Sequence, residues 1–389
     1  MTLNMRHSSY LILWVAVLAF GRGISAPVAS ADRGFVQAER ATPEMIAAYF
    51  SEKTGLYYNC PVRDCEPAAS FVAGRRKWSP EFGYGRGMED CAILTGIALV
   101  GAVRRGEAEM AERLARGLVR LSTAHGVPGF VARGLCVEDG RSICTLSSRD
   151  QLTHYVDGLL TYAQSPLATE ELRREIAQAM SAVADRLLRN VTAANDWNAL
   201  TADGEIDPKG ILKMWQVKPH EVARLPMVYL AAWKLTDDER YRLAYERLVD
   251  QALEESARVT ALSAEERKWI MPGYAFLQMN VSLRVLAKND PTRAERANAI
   301  RRDVTRLAID RFLDERGVDG PWLSSGGDLA LVVEMNRPLG GVSDETKMKA
   351  YEALYAACRR DMRNKKMRFR IARVLSFSTA DSFRTVEQI

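Results

Sequence analysis

Apolar positions recur at helical spacing from Thr42 onward, and no convincing series of alternating strands interrupts them. The pattern predicts helices over 42–55, 87–104, 107–124, 148–164, 167–190, 219–235, 237–258, 263–287, 292–314, 326–336 and 343–361. Residues 42–55 open with Thr-Pro-Glu, a helix start, and Ser148 with Gln151 has the spacing of a capping box. Two kinds of helix take turns. Residues 87–104 (GMEDCAILTGIALVGAVR) are apolar almost all round after the first turn, whereas 107–124 and 167–190 carry a charged face. A helix apolar all round must be buried, and one with a charged face lies outside.

Inner–outer alternation is what a closed ring of helical hairpins produces. The inner helices start near Asp90, Asp150, His220, Tyr274 and Asp328, at separations of 60, 70, 54 and 54 residues. The expected fold is therefore all-α, an (α/α)6 toroid formed as a single domain over 32–389. An open helical solenoid has the same rhythm. The toroid is preferred because solenoids show recognisable sequence repeats, and none is evident here.

The beginning of the chain reads differently. Arg6 precedes the unbroken apolar run Leu11–Phe20, and Ala29-Ser30-Ala31 supplies a small-residue cleavage pattern. Ten apolar residues are too few to cross a bilayer, which takes ~20 as a helix. Residues 1–31 are thus expected to be a signal peptide, with Asp32 the first residue of a secreted or periplasmic protein that is not stably inserted in a membrane. An uncleaved anchor is the alternative. Without 1–31, which hold Arg6, Arg22 and no acid, the charge falls from +5 to +3. That near-neutral balance argues against nucleic acid as the main partner. The basic runs Arg75–Lys77 and Lys365–Arg370 are short and read as solvated surface.

Cys60, Cys65, Cys91, Cys136, Cys144 and Cys358 make an even count, and in an exported chain that suggests disulfides. Cys136–Cys144, around the Asp139-Gly140 turn, and Cys60–Cys65 would each close a short loop. No Cys-x-x-Cys pair occurs and the histidines are scattered, so neither a metal site nor a cofactor is expected. The sequons at Asn190 and Asn280 carry little weight, because Asn280 falls in an inner helix.

In a toroid the inner helices run parallel and their N-termini open at one end, each with unpaired N–H groups and partial positive charge. The residues there would be Glu89 and Asp90, Asp150, Lys218 and His220, Tyr274, and Asp328. Loops would add Trp78, Arg86, Arg133, Trp197, Trp215 and Trp322. Carboxylates and arginines among aromatic faces suit an oligosaccharide. Within Ser147–Tyr155, the side chains of Asp150, His154 and, further on, Asp157 share one face of an apolar helix at i, i+4 and i+7. In Gly83–Cys91 the glycines permit tight turns before two adjacent acids. Those acids point in different directions, and Asp90 is taken as the one facing the cavity, with Glu89 the alternative. Acids in a first turn can equally serve only the helix dipole, and His154 can be a core residue.

The pairing of Asp90 in Glu-Asp-Cys-Ala with Asp150 in Ser-x-Asp-Gln-x-x-His, one hairpin apart, resembles the six-hairpin glycosidases that act on unsaturated glucuronyl and rhamnogalacturonyl sugars. The resemblance covers residues 80–165 by motif and the rest by helical rhythm. Met271-Pro272-Gly273-Tyr274 stands where a tryptophan- and glycine-rich signature is expected. It implies an (α/α)6 barrel whose aspartate acid/base protonates the vinyl ether of the unsaturated sugar while water adds at the neighbouring carbon. Asp150 matches the acid/base and Asp90 its partner, whose charge would keep a proton on the pair. His154 joins them as a catalytic candidate, and Arg133, Trp215, His220, Tyr274 and Trp322 as substrate-binding candidates. Two other readings remain open. One is a uronate-specific polysaccharide lyase using His154, Tyr155, Arg133, His220 or Asn195. The other is a non-catalytic glycan-binding or scaffold protein, in which the acids would pair with arginines.

Overall fold

The computed structural model describes residues 47–314, apart from Phe82, Lys268, Trp269, Met271 and Pro272, then residues 326–340, Ser343 and Glu345. The expected signal peptide, Trp322, Cys358, Lys365–Arg370, most of 343–361 and the start of 42–55 lie outside the described residues.

The fold is all-α. The helices are α1 (Cys91–Arg105), α2 (Ala108–Thr123), α3 (Arg149–Ala163), α4 (Glu170–Asn190), α5 (Arg224–Thr236), α6 (Glu239–Ala257), the short α7 (Ala264–Arg267), α8 (Tyr274–Asn289), α9 (Ala294–Asp314) and α10 (Gly326–Asn336). Burial follows the alternation read from the sequence. In α1 every residue from Cys91 to Ala102 is buried, and α3, α5 and α8 are buried nearly throughout. The helices α2, α4 and α6 bury one stripe and expose the other. Each outer helix packs on the inner helix before it, and the inner helices pack on one another in the order α1, α3, α5, α8, α10, with α8 also touching α3. Among the described residues these helices do not close into a complete barrel.

The inner core is tight where α1 crosses α3. A Cβ on Gly96 would lie 2.2 Å from the carbonyl oxygen of His154, and one on Gly158 would lie 3.0 Å from the Cα of Gly96. Backbone therefore meets backbone, and only glycine permits that approach. The helix α1 stops at Gly106, whose φ of 74° gives a left-handed cap with its N–H on the carbonyls of Ala102 and Val103.

Three boundaries differ from expectation. Across the end of the helix expected over 42–55 the chain forms a hairpin, β1 (Phe50–Ser51) with β2 (Leu56–Tyr57), because Gly55 turns at φ 71° against Gly117 of α2. The single helix expected over 263–287 is broken into α7 and α8. The helix expected from 219 begins at Arg224, leaving His220 in the turn before it. A second short pairing, β3 (Arg75–Arg76) parallel to β4 (Ile143–Cys144), ties the segment before α1 to the segment before α3. Both sequon asparagines are buried: Asn190 donates to the Ala199 carbonyl and Asn280 to that of Phe276.

Candidate active site at the helix N-termini

The approach to α1 is set by Gly85 and Gly87, both at positive φ. A Cβ on Gly87 would fall 2.6 Å from the sulfur of Cys65 and 2.7 Å from that of Cys60, so the turn lies directly on this thiol pair. It delivers Glu89 and Asp90 to the helix start. Asp90 occupies the N-cap position of α1, yet its carboxylate does not cap the helix. It accepts from Gln151 Nε2 at 2.9 Å and Asn59 Nδ2 at 3.3 Å, and lies 3.5 Å from an Arg133 nitrogen. Asn59 also accepts the Asp90 backbone N–H at 2.8 Å. Burial raises the pKa of Asp90 to about 6 against the opposing pull of Arg133. Glu89 is raised further, to about 7, by burial and by the neighbouring Asp90. Its Oε2 is buried with no hydrogen-bond partner among the described residues.

The start of α3 faces the same place. Ser148 Oγ accepts the Gln151 N–H, as a capping box requires, but the Gln151 side chain does not return to Ser148. It reaches across to Asp90 and to the Glu89 carbonyl, at 3.1 Å, and so joins the starts of α1 and α3. Asp150 accepts from Arg224, at the start of α5, and from the Tyr274 hydroxyl, at the start of α8, at 2.5 Å. Four inner helices thus meet by their N-termini, as parallel inner helices require. Burial alone would push the Asp150 carboxyl up; Arg224, the Tyr274 hydrogen bond, Arg149 and Arg133 hold it below the usual aspartate value. Tyr274 is correspondingly raised, first by burial and then by the charge of Asp150. Beside them Arg149 pairs with Glu221 at 2.5 Å and donates to the Gly210 and Lys213 carbonyls, which pins the loop before α5 over the site. His220 lies 3.9 Å from Glu221 and is 8 % exposed; burial lowers its pKa to about 4, so its ring is neutral.

An aromatic step lies alongside. Trp78 and Tyr84 stack with centroids 6.0 Å apart, Lys209 sits 4.0 Å above Trp78, and Arg133 lies 3.8 Å over Tyr84.

The structure brings Asp90, Asp150, Arg133, Tyr274 and, at the margin, His220 together. It separates the others. His154 is fully buried one turn into α3, where α1 crosses. Asp157 belongs to the far end of the helix, paired with Arg284 at 2.5 Å. Trp215 is buried in the core. Tyr155 bonds Ser122 at 2.8 Å and Asn195 donates to the Asn190 carbonyl, both as packing groups. The thiols of Cys60, Cys65, Cys91, Cys136 and Cys144 are free, so the expected Cys136–Cys144 bridge is not formed; Cys136 points at the Glu66 carbonyl, and the Cys60 and Cys65 sulfurs lie 3.7 Å apart. The basic run Arg75–Lys77 is largely spoken for, with Arg76 on Glu66 and Lys77 on Glu205.

Sequence reasoning missed Arg224, Gln151, Asn59 and Glu221. Arg224 had a readable signal: a cation opening a buried apolar helix opposes the dipole unless an acid meets it. No protein-family model matches the chain, and no curated protein matches it significantly.

The proton affinities have a measurable consequence. Asp90 and Glu89 hold protons more tightly folded than unfolded, so their contribution is complete below the ordinary carboxylate pKa and is lost as pH rises through about 6 and 7. His220 acts oppositely below its unfolded value, so the informative quantity is a difference between variants. Asp90→Asn should gain stability relative to wild type between pH 5 and pH 8, by ~1.4 kcal/mol, the one pKa unit that separates pH 5 from the folded value of about 6. Urea unfolding at both pH values checks this; an identical offset at the two would contradict the buried proton.

Proposed function

We propose that the chain is a glycoside hydrolase acting on uronic-acid-containing oligosaccharides, unsaturated uronyl sugars foremost. The observation that carries the reading is the division of labour between neighbouring carboxyl groups: Asp150 is kept ionised by Arg224 and Tyr274, while Glu89 and Asp90 keep a proton toward neutral pH. Two carboxyls with separated proton affinities are what acid–base chemistry on one substrate needs. In the proposed reaction the Glu89–Asp90 pair gives its proton to one carbon of the vinyl ether. Water adds to the neighbouring carbon and its surplus proton passes to the Asp150 carboxylate, so protons balance over the cycle once Asp150 returns one to the pair. Arg133 and Arg224 are the cations near at hand for a uronate, and the Trp78–Tyr84 step lies alongside them.

The assignment differs from the expectation in one respect. Arginine and tyrosine contacts strip Asp150 of proton affinity, so it serves as the base, and the acid is sought in Glu89 and Asp90. The purified chain should consume unsaturated uronyl disaccharides with loss of the absorbance of their conjugated double bond, and the rate should fall as pH rises past about 6 to 7 as the acid pair ionises. Folded protein that is inert toward the whole substrate class would sink the reading.

One observation favours a second reading. Asp150, Asp90 and Glu221 each meet an arginine, the arrangement expected of a non-catalytic glycan-binding protein. Saturable binding of a uronyl oligosaccharide with no turnover would select it.

A further inference from the structure

The opposite ends of the same helices line a half-open pocket of about 380 Å³, within the range of small-molecule sites. Arg104 of α1, Arg284 and Lys288 of α8 and Arg301 of α9 line it, with Asp157 of α3 as the carboxylate in the wall. Cations in a last helical turn neutralise the helix dipole, and that accounts for Arg104 and Lys288. It does not account for Arg284, before the last turn of α8, or for Arg301, deep inside α9. Arg301 is 4 % exposed; it donates to Asn298 Oδ1 at 2.9 Å and to the Met335 carbonyl at 3.0 Å, and its Nε is buried with no partner among the described residues.

Among the described residues two of the lining cations have no carboxylate of their own. Asp157 pairs with Arg284, and among the described residues no ion pair holds Lys288 or Arg301. The cations also oppose one another: burial, then Arg284, lowers the proton affinity of Arg104, Lys288 and Arg301, the last to about 9. Arg301 alone of the four is buried, with Arg284 half-buried beside it and Arg104 and Lys288 reaching solvent at the rim, so the cost of an uncompensated charge falls on Arg301 unless an anion joins it.

We propose that this pocket binds a compact oxyanion with two negative charges, held between Arg284, Lys288 and Arg301 at the end of the helix array remote from Asp150. Phosphate and small dicarboxylates share that chemistry, and the site is independent of the reaction proposed above.

Calorimetric titration of the full chain with inorganic phosphate and with malonate, each at matched ionic strength against chloride, tests this. One-to-one saturable binding of at least one dianion is expected, and the arm that saturates at lower concentration identifies the source chemistry. Lys288→Gln and Arg284→Gln should each weaken it about tenfold, the loss of one good charge contact. Lys288 is exposed, so its variant keeps the test open if Arg284→Gln does not fold. Absence of saturable binding beyond chloride, or binding unchanged in Lys288→Gln, overturns the proposal. So does binding lost equally in Arg224→Gln, which would place the anion at the other end.

Discussion

Asp150→Asn should lower turnover of an unsaturated uronyl disaccharide by roughly 10²–10⁴-fold, the usual cost of removing a general acid or base. The substitution keeps the volume and a hydrogen-bond acceptor toward Tyr274, and α3 retains its Ser148 cap, so the helix start should survive. What goes is the negative charge between Arg224 and Tyr274 that makes the group a base. Arg224→Met removes the support and leaves the carboxylate, so the Asp150 pKa should rise and the acidic limb of the pH–rate profile should move upward with it. Glu89→Gln and Asp90→Asn distinguish the acid: the true donor's variant should lose the fall in rate above about pH 6 to 7 along with most of its activity. An Asp150→Asn protein with full activity would remove Asp150 from the mechanism while leaving the fold untouched.

A loss of comparable size, in stability, is expected from one methyl group. Gly96→Ala would place Cβ 2.2 Å from the His154 carbonyl oxygen and 2.7 Å from its carbon. Neither is the end of a flexible side chain, so α1 and α3 must part along a contact buried on both sides. Alanine gains ~1 kcal/mol over glycine within a helix, and a 2.2 Å clash with rigid backbone sits at or beyond the top of the ~1–3 kcal/mol usual for overpacking. A net destabilisation of about 2 kcal/mol or more should appear as a lower urea midpoint. Gly158→Ala, whose nearest contact is 3.0 Å, should cost less. A Gly96→Ala protein as stable as wild type would mean that the two helices do not touch backbone to backbone.

The helical rhythm was legible because burial writes itself into composition: α1 is apolar all round and α2 only along one stripe. Boundaries were less so. The break between α7 and α8 and the hairpin over 50–57 are local features that periodicity does not register. At the site, Asp90 and Asp150 could be read from their places at the starts of two apolar helices. The protonation of Asp150 could not, because it depends on Arg224 and Tyr274, which are 74 and 124 residues away in sequence and adjacent only in space. His154 was misleading for the opposite reason. Its spacing from Asp150 puts it on the same helical face, but a face one turn deeper in this array is solid core.

The bridge made by Gln151 has one more implication, for how the carboxyl array endures its own titration. A carboxamide carries no charge at any working pH, and its NH2 group donates to Asp90 whether that group is ionised or neutral, as well as to the Glu89 carbonyl. A lysine in its place would grip an ionised aspartate and slacken whenever a proton arrived, so the spacing between the two helix starts would breathe with pH. With glutamine there, the frame stays put while protons come and go across it.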